Sequence, residues 1–251
     1  MIGIFDSGVG GLSVFCELKK RRPDAEIVYL ADSANFPYGD KSQSELINIT
    51  ERATNFLISS GAKTVVLACN SATVSTIKHL REKYPLIKFV GVEPAVKVAY
   101  DLEYPGKIGI LATKKTVSTH DSEALAPGST LYKHYDENII DMIENNYQRI
   151  GNNDLKNAID PLLSEGVKII VLGCTHFYFI KERFTQAFPE VTFVEPAGAV
   201  AQRVLEVSKN ISLGESTFFV TGDIEKFSDF LVNVVGYKNA IAREVMLPTS
   251  S

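Results

Sequence analysis

The chain has 251 residues, 26 basic against 30 acidic side chains, a formal net charge of −4 and a 45% hydrophobic composition. That balance excludes a disordered or low-complexity chain, and its mild acidity argues against a general binder of nucleic acid or acidic membranes. At ~150 residues per domain, the length allows one large domain or two compact ones, folding without disulfide or metal staples.

The first apolar run, Ile2 to Phe5, ends at Asp6; it is too short for a signal-peptide core, so no leader is expected. Gly8, Gly10 and Gly11 then suit a tight strand-to-helix turn with exposed backbone donors. A dinucleotide fingerprint would need a glycine where Ser13 stands. Cys16 sits among Leu12, Val14 and Leu18 in a helix-like stretch and reads as a packing residue. The stretch ends in Lys19-Lys20-Arg21-Arg22, a solvated helix terminus. Further strand-like runs follow at Ile27 to Leu30, Thr64 to Ala68, Ile87 to Val92, Lys107 to Leu111, Ile169 to Leu172, Val191 to Val194 and Thr217 to Val220. Helical stretches lie between most of them, including Ser42 to Ser59 and Ala158 to Ser164. No apolar run approaches the ~20 residues that span a bilayer, and the tail from Pro248 is expected to fray. Short buried strands alternating with helices predict parallel β/α layers, with sites outside the carboxyl ends of the strands.

The alternation occurs twice. Gly61-Ala-Lys-Thr-Val-Val-Leu-Ala-Cys69-Asn70 aligns without a gap on Gly166-Val-Lys-Ile-Ile-Val-Leu-Gly-Cys174-Thr175, at an offset of 105. Ile2-Gly-Ile-Phe-Asp6-Ser7 aligns on Ile108-Gly-Ile-Leu-Ala112-Thr113 at an offset of 106. Phe89-Val-Gly-Val-Glu93-Pro-Ala95 resembles Phe193-Val-Glu195-Pro-Ala197, whose glutamates read as a repeated structural turn. The expected fold is α/β: two pseudo-symmetric parallel-sheet domains facing one inter-domain cleft, residues 1–97 plus 209–251 and residues 98–208. A period this long is a whole domain, so a solenoid is excluded.

Each repeat ends a strand in a cysteine, Cys69 or Cys174, followed by an amide or hydroxyl residue. Two thiols on either side of one carbon are what inversion of a stereocentre needs, one removing the α-proton and the other returning it on the far face. Both also fit buried core cysteines. A free thiol, pKa about 8.5, needs help to act as a base at neutral pH; Asp6, Glu93, Glu144, Glu195 and His176 are the candidate tuners. Three scattered cysteines suit a reducing cytoplasm better than a disulfide framework. His79, His120 and His134 stand at no ligand spacing and read as surface or packing residues; neither a metal nor another cofactor is expected.

Asp6-Ser7-Gly8-Val9-Gly10-Gly11, Ala31-Asp32-Ser33 with Pro37-Tyr38-Gly39, Ala68-Cys69-Asn70-Ser71-Ala72, Gly173-Cys174-Thr175-His176 and Thr221-Gly222-Asp223 occur in the order of a known family. Together they resemble the cofactor-independent aspartate/glutamate racemase superfamily, and the histidine after Gly-Cys-Thr points to its glutamate racemase branch. The resemblance implies that Cys69 acts on the D-enantiomer and Cys174 on the L-enantiomer, with Asp6 assisting the first and His176 the second. It implies that Asp6, Ser7, Tyr38, Gly39, Asn70, Ser71, Thr113, Thr116, Thr175 and His176 hold the substrate. The family's further glutamate is best matched by Glu144; read from the residues alone, that position also fits an exposed helix carboxylate. Also implied are a homodimer, glutamate as the small-molecule partner, no nucleic-acid role, no membrane, and D-glutamate supply for peptidoglycan and cell shape.

Two departures from the family pattern stand out. Ser71 replaces a usual threonine and keeps its hydroxyl, while Phe177-Tyr178-Phe179 replaces Tyr-Pro-Leu and loses a helix-starting proline. Rival readings are a racemase for aspartate or another amino acid, and a non-catalytic binding or regulatory protein on the same scaffold. A Cys-His hydrolase would leave the second strand-end cysteine without a role.

Overall fold

A computed structural model describes residues 1–102, 106–238 and 240–248; the tail beyond Pro248, expected to fray, lies outside the described residues. The strands are β1 (Ile2–Asp6), β2 (Ile27–Ala31), β3 (Thr64–Leu67), β4 (Lys88–Gly91), β5 (Lys107–Ala112), β6 (Thr130–Tyr135), β7 (Ile169–Gly173), β8 (Thr192–Val194), β9 (Thr217–Val220) and β10 (Ala242–Glu244). The helices are α1 (Leu12–Arg21), α2 (Gln43–Ser59), α3 (Asn70–Lys83), α4 (Val96–Leu102), α5 (Lys114–Thr119), α6 (Glu137–Asn146), α7 (Asn152–Leu163), α8 (Lys181–Ala187), α9 (Ala197–Val207) and α10 (Ile224–Asn233). The fold is α/β with two parallel sheets, ordered β10-β9-β2-β1-β3-β4 and β6-β5-β7-β8.

The chain divides into two compact units, Met1–Val92 with the chain from Ala197 onward, and Glu93–Pro196. These bounds differ from those expected: residues 93–97 join the second unit and residues 197–208 leave it. The reason is packing. Helix α9 buries Val200, Ala201 and Val204 and lies against α1, β3 and β4, whereas α4 lies against β5 and β7. Each Glu-Pro turn, Glu93-Pro94 and Glu195-Pro196, therefore stands where the chain passes from one unit to the other.

The repeat extends to the hydrogen-bonding register. In the first unit Ile2 stands opposite Ile27 and Thr64, and Thr64 opposite Lys88. In the second, Ile108 stands opposite Leu131 and Ile169, and Ile169 opposite Thr192. Gly61 and Gly166, with φ of 97° and 73°, make the same left-handed turn before β3 and β7, a conformation costly for any side chain with a Cβ.

Local chemistry explains the element ends. Helix α2 opens on a capping box in which Ser42 and Glu45 satisfy each other's backbone N–H groups. Its buried face, Leu46, Ile49, Ala53 and Leu57, packs with Phe5, Leu30, Val65 and Leu67. On the other side of that sheet Tyr29 and Phe218 pair across β2 and β9 and meet Phe15 and Phe227 in an aromatic cluster. The second core gathers Val96, Ala99, Ile108, Ile110, Ile169 and Val171. Helix α7 begins six residues before the expected Ala158, where Asp154 accepts the Gly151 N–H at 2.7 Å. Two strands went unforeseen, and both are sheet edges: β6 is half-buried and polar, and β10 is three largely exposed residues. Neither forms the apolar run that marks a covered strand.

Candidate functional site

In each unit the functional candidates collect at the carboxyl ends of the central strands, where an open parallel sheet places ligands. In the first unit β1 ends in Asp6, which is fully buried and accepts the Gly8 N–H at 2.8 Å. This bond draws the chain into the turn toward α1. Gly11 must be glycine for space: a Cβ there would stand 2.7 Å from the Asp6 Cβ and 2.9 Å from both the Ala68 Cβ and the Tyr29 hydroxyl. Parallel pairing of β1 with β3, continued by the Ala68 N–H to Phe5 carbonyl bond, sets Cys69 beside this turn. Cys69 is 7% exposed, and its Sγ lies 3.9 Å from Ser7 Oγ.

Cys69 is the N-cap of α3, with extended φ and ψ of −128° and 121°. A thiolate there meets the positive end of a fourteen-residue helix, which favours the charged form. Tyr38 and Gly39 are buried, and Tyr38 packs in the same cluster as Cys69. Burial, reinforced by the Asp32 charge beside it, raises the Tyr38 phenol well above its ordinary value. Asn70 and Ser71 are each 2% exposed, and neither polar atom of the Asn70 amide is hydrogen-bonded among the described residues.

In the second unit Cys174 directly follows β7 at the matching position, also 7% exposed and extended, with φ −136° and ψ 138°. A short 3-10 turn, Thr175–Ile180, follows instead of a regular helix, in the segment that carries Phe177-Tyr178-Phe179. Its weaker terminal field is supplemented by a side-chain relay. His176 Nδ1 lies 3.5 Å from Cys174 Sγ, and His176 Nε2 lies 2.8 Å from Glu144 Oε2 on α6. The His176 and Glu144 side chains are 3% and 9% exposed, so Glu144 is no exposed helix carboxylate. Burial alone would disfavour the imidazolium. Cys174 and Glu144 on either side of the ring outweigh it and hold His176 well above its ordinary value. An imidazolium so held favours a neighbouring thiolate. Thr113 caps α5 by accepting the Thr116 N–H at 3.2 Å and donates to the Thr116 hydroxyl at 3.1 Å. Thr175, the residue after Cys174, is also buried.

The structure thus groups Asp6, Ser7, Tyr38, Gly39, Cys69, Asn70 and Ser71 in one unit, and Thr113, Thr116, Glu144, Cys174, Thr175 and His176 in the other. Cys16 belongs to neither cluster: it lies on α1, where burial pushes its thiol up to about 11. His79 contacts Glu51 at 2.6 Å, His120 contacts Ser122, and His134 stacks on Tyr135. Among the described residues no group of three His, Cys, Asp or Glu side chains is placed to hold a metal ion. No described helix is long and apolar enough to cross a membrane. Two residues near the first cluster, Asp32 and Thr221, received no role from the sequence although both stand in the motifs that carried the resemblance. Their signal was motif membership; their meeting across 189 positions was not visible.

A family model described as Asp/Glu/Hydantoin racemase matches residues 16–204. Among curated relatives, the glutamate racemase of Pseudomonas aeruginosa strain UCBPP-PA14 is 37% identical over 211 residues, covering 82% of this chain and 80% of its own. Among solved structures, the glutamate racemase isoform RacE1 of Bacillus anthracis superposes with a TM-score of 0.89 at 26% identity, covering 100% of this chain and 98% of that one. The Escherichia coli glutamate racemase, in complex with L-glutamate and the activator UDP-MurNAc-ala, superposes with a TM-score of 0.86 at 27% identity, covering 97% and 96%.

Proposed function

This chain belongs to the Asp/Glu/Hydantoin racemase family, and we propose that it interconverts L- and D-glutamate by a two-base thiol mechanism that needs no cofactor. The observation that carries the reading is the duplication itself. The same register in both sheets delivers a buried thiol at the end of the third strand of each repeat, Cys69 and Cys174. A packing role would not require both copies to be cysteine, nor both to be followed by polar groups.

The reaction follows from proton accounting. One sulfur, as thiolate, takes the α-proton and becomes a thiol; the other, as thiol, delivers its proton to the opposite face. Each turnover therefore leaves the two sulfurs with exchanged protonation, and both directions use both. Cys69 acts on D-glutamate, aided by the N-terminus of α3 and by Asp6; Cys174 acts on L-glutamate, aided by His176 and Glu144. Ser7, Asn70, Ser71, Thr113, Thr116 and Thr175 supply hydroxyls and an amide for the substrate's carboxylates and ammonium, and Tyr38 and Gly39 contribute backbone groups. The unpartnered Asn70 amide supports that assignment, because leaving a buried amide unsatisfied costs about 1–3 kcal/mol that a substrate would relieve. We place the enzyme in the cytoplasm as a homodimer making D-glutamate for peptidoglycan; three free cysteines suit a reducing compartment.

The test follows L-glutamate, and separately D-glutamate, incubated with the protein in D2O without cofactors, by proton NMR for the α-proton and by circular dichroism for the configuration. Loss of the α-proton signal with growth of the other enantiomer is expected. Exchange without inversion would refute the two-base step, exchange with aspartate alone would move the substrate to the neighbouring branch, and silence with both would leave a binding protein.

A further inference from the structure

We propose that Thr221 and Asp32 form a positioning clamp that fixes the Tyr38–Gly39 turn beside Cys69. The register makes the pair possible. Strands β2 and β9 run parallel with Ala31 opposite Val220, so the next residues of each, Asp32 and Thr221, emerge side by side at the sheet's carboxyl edge. The Thr221 hydroxyl donates to Asp32 Oδ1 at 2.9 Å and accepts the Ala34 N–H at 3.1 Å, closing the backbone of the intervening turn. Asp32 is fully buried. Its Oδ2 accepts the Tyr38 hydroxyl at 2.6 Å, and both of its oxygens accept from the Asn35 amide at 3.1 and 3.0 Å. Gly222 lets the strand end approach this closely, since a Cβ there would stand 2.9 Å from the Ser33 Cβ.

The phenol proton of Tyr38 is thereby committed to Asp32. A hydroxyl whose one hydrogen is engaged can only accept from a further partner, so Tyr38 is not a donor to a substrate carboxylate. It acts as a strut: its ring, 2% exposed, packs in the cluster that contains Cys69, and its orientation is set through Asp32 by a residue on the C-terminal part of the chain. The Thr-Gly-Asp motif thus has a task at the site, since Thr221 holds the clamp, Gly222 permits its approach, and Asp223 caps α10 by accepting from Glu225 N–H and Lys226 N–H.

The kinetic part of this inference rests on the glutamate reading; the structural part does not. The variants are Thr221→Val, which keeps shape and removes the hydroxyl, and Thr221→Ser, which restores it. Two readouts are taken on the full chain: amide hydrogen exchange of residues 33–41, and the KM and kcat for glutamate. Thr221→Val should speed exchange in that segment about tenfold or more relative to α2 and raise KM about three- to tenfold with a smaller change in kcat. Thr221→Ser should return both to near wild-type values. Unchanged exchange in Thr221→Val overturns the clamp, as does faster exchange with unchanged KM, or a Thr221→Ser variant no better than Thr221→Val. A wild type that does not racemise glutamate overturns the glutamate reading instead, and the exchange measurement alone then decides the clamp.

Discussion

Replacing Glu144 with glutamine separates charge from geometry at the second strand-end cluster. The Glu144 oxygen lies 2.8 Å from His176 Nε2, with both side chains nearly excluded from solvent. Glutamine keeps an oxygen that accepts from the ring but removes the negative charge. A charge-assisted hydrogen bond at such burial contributes about 1.5–3 kcal/mol. At ~1.36 kcal/mol per decade, the imidazolium then loses about one to two decades of preference for its proton. The sign follows from the direction of the shift. Burial opposes the cation, but Cys174 and Glu144 hold His176 well above its ordinary value. Such a group contributes stability that is complete below its unfolded pKa, about 6.5, and is lost as pH rises through the folded value. Glu144→Gln should therefore move the alkaline loss of stability, and the alkaline limb of turnover, toward lower pH. Above neutrality, turnover should fall about 10- to 100-fold from either enantiomer, because a ring that has lost its proton no longer places a positive charge beside Cys174 Sγ. The assay is the pH dependence of kcat from L- and D-glutamate by circular dichroism, with thermal unfolding measured over the same range. A folded Glu144→Gln enzyme with the wild-type alkaline limb would refute the relay.

Three further outcomes are expected. Cys69→Ser and Cys174→Ser should each reduce turnover about 100- to 10,000-fold from both enantiomers; a variant that slows only one direction at steady state contradicts the shared use of both thiols. Cys16→Ser should leave turnover unchanged and alter stability by no more than about 1 kcal/mol, because that thiol, pushed by burial to about 11, lies on α1 away from the strand ends; a large kinetic defect in a stable Cys16→Ser protein would contradict this placement. Gly11→Ala should destabilise by about 1–3 kcal/mol through contact with Asp6, Ala68 and Tyr29, which at this chain length lowers Tm by about 2–4 °C per kcal/mol. An unchanged melting curve would show that the turn yields more easily than the packing implies.

The periodic part of this protein was legible in its sequence. A strand covered on both faces must be a continuous apolar run, so eight of the strands announced themselves, and duplication made the two cysteines recognisable as one position used twice. Helix α2 was legible to its cap, because Ser42 and Glu45 satisfy one another within four residues. The edge strands β6 and β10 were not legible: half-exposed backbone pairs without demanding apolar side chains. The boundary of the second unit was also misplaced at α9, since an amphipathic helix records that one face is buried and not which sheet buries it.

The site divides in the same way. Cys69, Cys174, Asp6 and His176 could be named because each lies within a few residues of a strand end, where local motif and position coincide. What the sequence could not supply was the state of those groups. Glu144 becomes a partner of His176 only because α6 packs against the turn after β7, and Asp32 meets Thr221 only because β9 joins the sheet beside β2. The sequence by itself determined which side chains are carried at the strand ends; the tertiary structure decided which are buried together, and with them the charges they hold. The physical reason is that composition and periodicity are local properties of the chain, whereas desolvation and Coulomb interaction depend on distances in space.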